Sequence, residues 1–123
     1  MKVVITGGAG FIGCNAAARW ISRGDDIVVV DDLSRRGSPS NLEWLKGVGN
    51  FTFYRRDIGD ASAIDALFRD HHDADAVLHL AAQVAVTSSV ADPRTDFEIN
   101  ALGTFNVLEA VPRHCPRAAF VYA

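Results

Sequence analysis

The chain has two cysteines, one methionine, four prolines and no surplus of positive charge among its 123 residues. Cys14 and Cys115 stand far apart with no second pair, which excludes a disulfide framework and fits a reducing compartment. A formal net charge of −3 argues against a nucleic-acid surface, because phosphate binding needs clustered cations. Arg35–Arg36 and Arg55–Arg56 are the only basic pairs, and neither builds a patch. No apolar run approaches the roughly 20 residues of a membrane span. "MKVVIT" enters a strand at once, so no signal peptide is expected and the cytoplasm is the expected location. The four histidines and two cysteines make no metal-ligand spacing, so no metal is expected. His79 lies within a strand pattern and reads as a satisfied buried histidine, while His71–His72 close a helix whose dipole suits a cation.

What is present is an apolar half (49%) distributed in short runs. "KVVIT" (Lys2–Thr6), "DIVVV" (Asp26–Val30), "FTFYR" (Phe51–Arg55), "AVLHLAA" (Ala76–Ala82) and "AAFVYA" read as strands, the apolar ones as strands buried on both faces. Helical spacing lies between them: Ile12, Ala16 and Trp20, then Ile64, Leu67 and Phe68 behind an Asp60 cap. Ser40 with Glu43 suggests a capping box for a short helix through Trp44 and Leu45. A polar stretch, "QVAVTSSVADP", leads to a long helix from about Thr95 to Val111. Regular alternation of this kind predicts an α/β fold: one doubly wound parallel sheet in the order 3-2-1-4-5.

Four glycines (Gly7, Gly8, Gly10, Gly13) fall within seven positions directly after the first strand. Between a buried strand and a helix, such glycines permit a tight turn, close approach of backbone to a pyrophosphate, and close helix–strand packing. The helix N-terminus then offers unpaired N–H groups to the phosphates. A plain tight turn is the alternative. Asp31 ends the second strand, where a carboxylate accepts from ribose hydroxyls and repels a 2′-phosphate, favouring NAD over NADP. Arg35 and Arg36 cut the other way. Asp57 and Ile58 follow the third strand and suit an adenine, or else are a loop acid and a packing residue. Leu80, Ala81 and Ala82 close the fourth strand with room for a ribose. Asn100 shares a helical stripe with Gly103 and Thr104, placed to hold a loop or water near a cofactor, with an ordinary helix surface as the alternative. Cys14 sits in a first helical turn, where a thiol pKa can fall, although a packing role is the simpler reading.

"ITGGAGFIG", "DDLS", "RDI", "LHLAAQ" and "NALGTFNVLEA" together resemble the NAD-dependent epimerase/dehydratase family of extended short-chain dehydrogenases/reductases, across essentially the whole chain. "DDLSRRGSPSNLEWL" and "AAQVAVTSSVADPRTDFEIN" are most similar to its CDP-paratose 2-epimerase branch. The resemblance implies a Rossmann-type NAD-binding domain over residues 1–123, ending after about the fifth strand with the substrate lobe absent. It also implies transient oxidation of a carbon in a nucleotide-sugar, a CDP-linked dideoxyhexose in this branch; sugar 4,6-dehydratases and UDP-sugar 4-epimerases share the same front end. A non-catalytic dinucleotide-binding module is the reading from a different class. By matching position, Gly7, Gly10, Phe11, Ile12 and Gly13 would meet the pyrophosphate, and Asp31, Asp32, Ser34 and Arg35 the adenosine. Asp57 and Ile58 would meet adenine. Leu80, Ala81, Ala82 and Gln83 would line the ribose and nicotinamide, with Asn100 behind them. Gln83 replaces the lysine of some sugar 4-epimerases. Thr87, Ser88 and Ser89 are candidates to approach the sugar, or are a simple polar loop. The family's Tyr-x-x-x-Lys pair is expected beyond Ala123; neither Tyr54 nor Tyr122 has a lysine four residues on. The chain alone is therefore expected to be inactive and to leave an apolar sheet edge unpaired, a route to association, while the full-length enzyme is a candidate homo-oligomer.

Overall fold

The computed structural model describes residues 1–123. Five strands, β1 (Lys2–Thr6), β2 (Asp26–Asp31), β3 (Thr52–Arg55), β4 (Ala76–His79) and β5 (Ala119–Tyr122), form one sheet in the order β3-β2-β1-β4-β5. Every pairing is parallel. The doubly wound order predicted from the alternation is the observed one. Its switch point lies between β1 and β4, where the chain leaves the centre in opposite directions and a crevice opens at the carboxyl ends of the strands.

Pleating sends successive side chains to opposite faces, so apolar runs in β1 and β2 supply two cores. Val4, Val28 and Val30 pack with Ile64, Leu67 and Phe68 of α3 (Ala61–Asp70) and with Val107, Ala110 and Val111 of a later helix, Thr104–His114. Val3, Ile5, Ile27 and Val29 pack with Ala17 of α1 (Phe11–Ser22) and Leu45 of α2 (Ser38–Lys46). Each fully buried Val, Ile or Leu contributes about 1.5–3 kcal/mol, so the central strands anchor everything that follows. Asp60 caps α3 as expected, accepting from the Ala63 amide at 3.1 Å.

Several sequence expectations give way. α2 starts at Ser38 behind Gly37, which has φ +94°, so Ser40 lies inside the helix and forms no capping box. β4 stops at His79, and the polar stretch after it contains a helix, α4 (Val86–Ala91). The single long helix is in fact α5 (Pro93–Phe97), a π-helical segment (Glu98–Gly103) and α6 (Thr104–His114). A single wide turn leaves no periodic signature in sequence. His71 does cap α3, but burial pushes its pKa down, which disfavours the cation that the helix dipole suits. Burial likewise raises the Cys14 thiol rather than lowering it, consistent with its packing role.

A cleft built from the ends of four strands

β1 delivers the chain to Gly7, whose φ of +69° is a left-handed conformation suited to glycine. Space demands it too: a Cβ on Gly7 would sit 2.7 Å from the Ala81 nitrogen and 2.8 Å from the Leu80 carbonyl carbon. On Gly13 a Cβ would collide with the Gly7 carbonyl oxygen, and on Gly8 it would come within 2.8 Å of Val29. The turn is thus packed backbone to backbone against both α1 and the end of β4. The Gly7 and Gly8 amides both donate to the Val30 carbonyl, and Gly10 donates to Gly7. Beyond them, the amides of Phe11, Ile12 and Gly13 open α1 with no acceptor in the chain, while Cys14 is the first to pair, with Gly10. Three converging N–H groups at a helix N-terminus favour an anion.

Asp31 ends β2 and binds this turn. Its Oδ2 accepts from the Ala9 amide at 3.0 Å and its Oδ1 from the Leu33 amide at 2.9 Å. Burial raises its pKa, and the two amides partly offset that. Leu33 is held at φ +60°, a strained position for a branched side chain, by that second bond. From the other side, Asn41 of α2 donates to the Ala9 carbonyl at 2.8 Å. Asn41 escaped the sequence reading, because nothing in its spacing shows that α2 will lie against residue 9.

A cleft of about 320 Å³ opens along these strand ends. Among the predicted residues, Gly7, Gly10, Asp31, Asp32, Ser34, Arg35, Asp57, Ile58, Leu80, Ala81, Ala82 and Gln83 line it. Val30, Arg56, Val84, Ala85 and Ile99 join them without having been predicted. Asp32 binds the amide and hydroxyl of Ser34, and Asp57 Oδ1 accepts from Gly59 at 2.8 Å. Ile58 is nearly buried: Gly103 lies so close that a Cβ there would fall 2.6 Å from its side chain, and Asn106 binds its carbonyl at 2.9 Å. Arg35 has no ion-pair partner, and Arg56 sits over the Tyr54 ring, 5.8 Å from its centroid.

Four predicted cofactor residues lie outside the lining. Phe11 and Ile12 direct their side chains to solvent, and Gly13 is buried under the turn. Asn100 stands behind the wall. Its Oδ1 accepts from the Gln83 amide at 2.7 Å and its Nδ2 donates to the Gln83 carbonyl at 3.0 Å. The π-helical turn turns this side chain toward Gln83 while Gly103 still packs on Ile58. Thr87, Ser88 and Ser89 fall on α4 outside the cleft, the first two exposed and Ser89 half-buried with its hydroxyl bonded back to Val86. His79 is buried as expected, and burial lowers its pKa to about 4. No cluster of three or more His, Cys, Asp or Glu is placed to hold a metal, and no helix is long and apolar enough to cross a membrane.

The family described as GDP-mannose 4,6 dehydratase matches residues 4–123. The chain is 44% identical over its whole length to a CDP-paratose 2-epimerase from Salmonella typhi, covering 36% of that protein. It is 39% identical over 108 residues to a dTDP-glucose 4,6-dehydratase from Xanthomonas campestris, covering 88% of this chain and 30% of the relative. The crystal structure of UDP-glucose 4-epimerase from Stenotrophomonas maltophila, with bound NAD and formylated UDP-arabinopyranose, superposes with a TM-score of 0.87 at 32% identity, over 99% of this chain and 36% of that one. The chain thus spans about a third of the length of the relatives it matches.

Proposed function

The chain belongs to the GDP-mannose 4,6 dehydratase family, whose members matched here are nucleotide-sugar epimerases and dehydratases, and from that premise we propose that residues 1–123 are the NAD-holding domain of a nucleotide-sugar epimerase. One observation supports this most: three unpaired amides at the start of α1 stand next to a glycine turn whose Gly7 and Gly10 line the cleft, and whose Gly7 and Gly13 pack so closely on backbone that no side chain fits. A dinucleotide fits that arrangement. The Phe11, Ile12 and Gly13 amides and the α1 dipole would neutralise the pyrophosphate. Asp31 retains lone pairs for ribose hydroxyls, and Asp32, Ser34 and Arg35 surround the same end. Asp57 has a free carboxylate oxygen for adenine, with Ile58 beside it. Leu80, Ala81, Ala82 and Gln83 would border the second ribose and nicotinamide, and Asn100 would hold Gln83 in place. Bound NAD would supply a two-electron acceptor for a sugar carbon.

The favoured substrate is a CDP-linked dideoxyhexose, on the 44% identity to a CDP-paratose 2-epimerase. A 4,6-dehydratase or UDP-sugar 4-epimerase is the second reading, favoured by relatives and neighbours of those kinds. The intact protein, incubated with CDP-paratose and CDP-tyvelose, is expected to interconvert them; turnover of UDP-galactose with neither CDP-sugar changed would refute the 2-epimerase reading. Calorimetry of Asp31→Ala is expected to show NAD binding weakened by about 1.5–3 kcal/mol, roughly 10- to 100-fold. Unchanged affinity would remove Asp31 from the site. Residues 1–123 expressed alone are expected to bind NAD without turnover, since they carry no Tyr-x-x-x-Lys pair.

A further inference from the structure

Three polar side chains lie where β1, β4 and α6 meet, beneath the cleft. His79 is 1% exposed and Thr6 is fully buried. His79 Nδ1 is 2.6 Å from the Thr6 hydroxyl, and Nε2 is 2.9 Å from the Thr104 hydroxyl. The imidazole stacks on Phe120 and Tyr122 of β5, which offer its ring nitrogens no further partner. The Thr6 oxygen has one more contact, the Ala81 amide at 3.3 Å.

Counting protons orders this chain. The Ala81 N–H can only donate, so it occupies a lone pair of Thr6. If Nδ1 also carried a proton, Thr6 would face two donors and its own hydroxyl proton would be left without an acceptor in a dry site. The consistent arrangement runs one way: Ala81 N–H to Thr6 Oγ1, Thr6 O–H to Nδ1, and Nε2–H to Thr104 Oγ1. Ala81 is also the residue whose nitrogen lies against Gly7, and both line the cleft.

We propose that His79 is a positioning residue for the dinucleotide cleft: as the neutral Nε2–H tautomer it orients the Thr6 hydroxyl to accept from Ala81, and so fixes the seam between the glycine turn and the end of β4. Its bearing on the dinucleotide rests on the function proposed above. Burial that lowers the ring's pKa to about 4 keeps it neutral across the physiological range. Asparagine offers an acceptor near the place of Nδ1, whereas leucine offers none.

The test is made in the intact protein. Nitrogen spectra of ¹⁵N-histidine protein are expected to show His79 neutral with its proton on Nε2 from pH 5 to 8. His79→Leu is expected to speed hydrogen exchange of the Ala81 amide and raise the Kd for NAD, each about tenfold, while His79→Asn restores both to within about threefold. Thr6→Val, which keeps the volume and removes the acceptor, repeats the leucine result should that variant fail to fold. A proton on Nδ1, titration near the ordinary 6.5, or Ala81 exchange and NAD affinity unchanged in Thr6→Val and His79→Leu would each overturn the inference. If Ala81 exchange responds but the wild-type protein binds no NAD, the seam stands and the NAD reading alone falls.

Discussion

On one side of the cleft, Gly7 and Gly13 press backbone against backbone, Gly8 lies against the Val29 side chain, and Asp31 and Asn41 hold Ala9 by its amide and its carbonyl. On the other side, Gln83, Val84 and Ala85 follow β4, with Asn100 bonding Gln83 across 17 residues. The glycine side is rigid because side chains are missing, so its geometry is fixed by sterics and a central sheet. The opposite wall depends on one amide side chain presented by an irregular turn, and it opens directly toward residues placed outside the cleft on α4. Under the function proposed above, the first construction would suit an invariant pyrophosphate and the second would suit differing sugars.

Breaking the glycine side is expected to have the largest effect. Gly13→Ala puts a methyl group into the Gly7 carbonyl, with backbone on every near side. It should destabilise the fold by about 3 kcal/mol or more, the upper range for overpacking, in denaturant unfolding. A near-neutral result would show that this wall yields. The seam between the walls comes next, through pH. His79 protonates near pH 4 when folded and near 6.5 otherwise. The stability it contributes is therefore full above pH 6.5 and is lost as pH falls toward 4, by about 3 kcal/mol. His71, also lowered by burial, acts in the same direction, while Asp31, raised by burial, opposes. Unfolding curves at pH 7 and pH 4.5 check this; equal midpoints would contradict it. The smallest effect is expected from Asn100→Ala. It removes the partner of two backbone groups and should lower stability by only about 1–2 kcal/mol, while the Gln83 amide exchanges faster and the Gly7 amide stays protected. If both amides loosen together, the two walls are one unit and the contrast drawn above is wrong.

The parts visible in sequence are those whose causes are local. Five strands and their order followed from apolar runs alternating with helical spacing, and the Asp60 cap from one acid before one apolar face. The glycine cluster marked its turn because no other residue tolerates that crowding. What escaped depends on distant neighbours. Nothing near Asn41 or Arg56 indicates that the chain will bring them to residue 9 or to the cleft. The π-helical segment hid inside a helical stripe, and α4 hid in a polar stretch whose Val86 and Val90, four apart, are a short apolar signal and stay exposed. The lowering of the His71 pKa was hidden for the same reason: it comes from burial by packing, which disfavours the cation that the helix end alone would suit.

By itself, then, the sequence determined a parallel sheet with a bare turn after its first strand, since short-range sterics and alternating apolarity are properties of neighbouring residues. Only the folded molecule decided that Asp31 would hold the Ala9 and Leu33 amides with its two oxygens and that the partners of the buried His79 would be two threonines. Charge state and hydrogen-bond direction depend on the surrounding dielectric and on partners, and here those partners come from strands and helices up to 73 residues away.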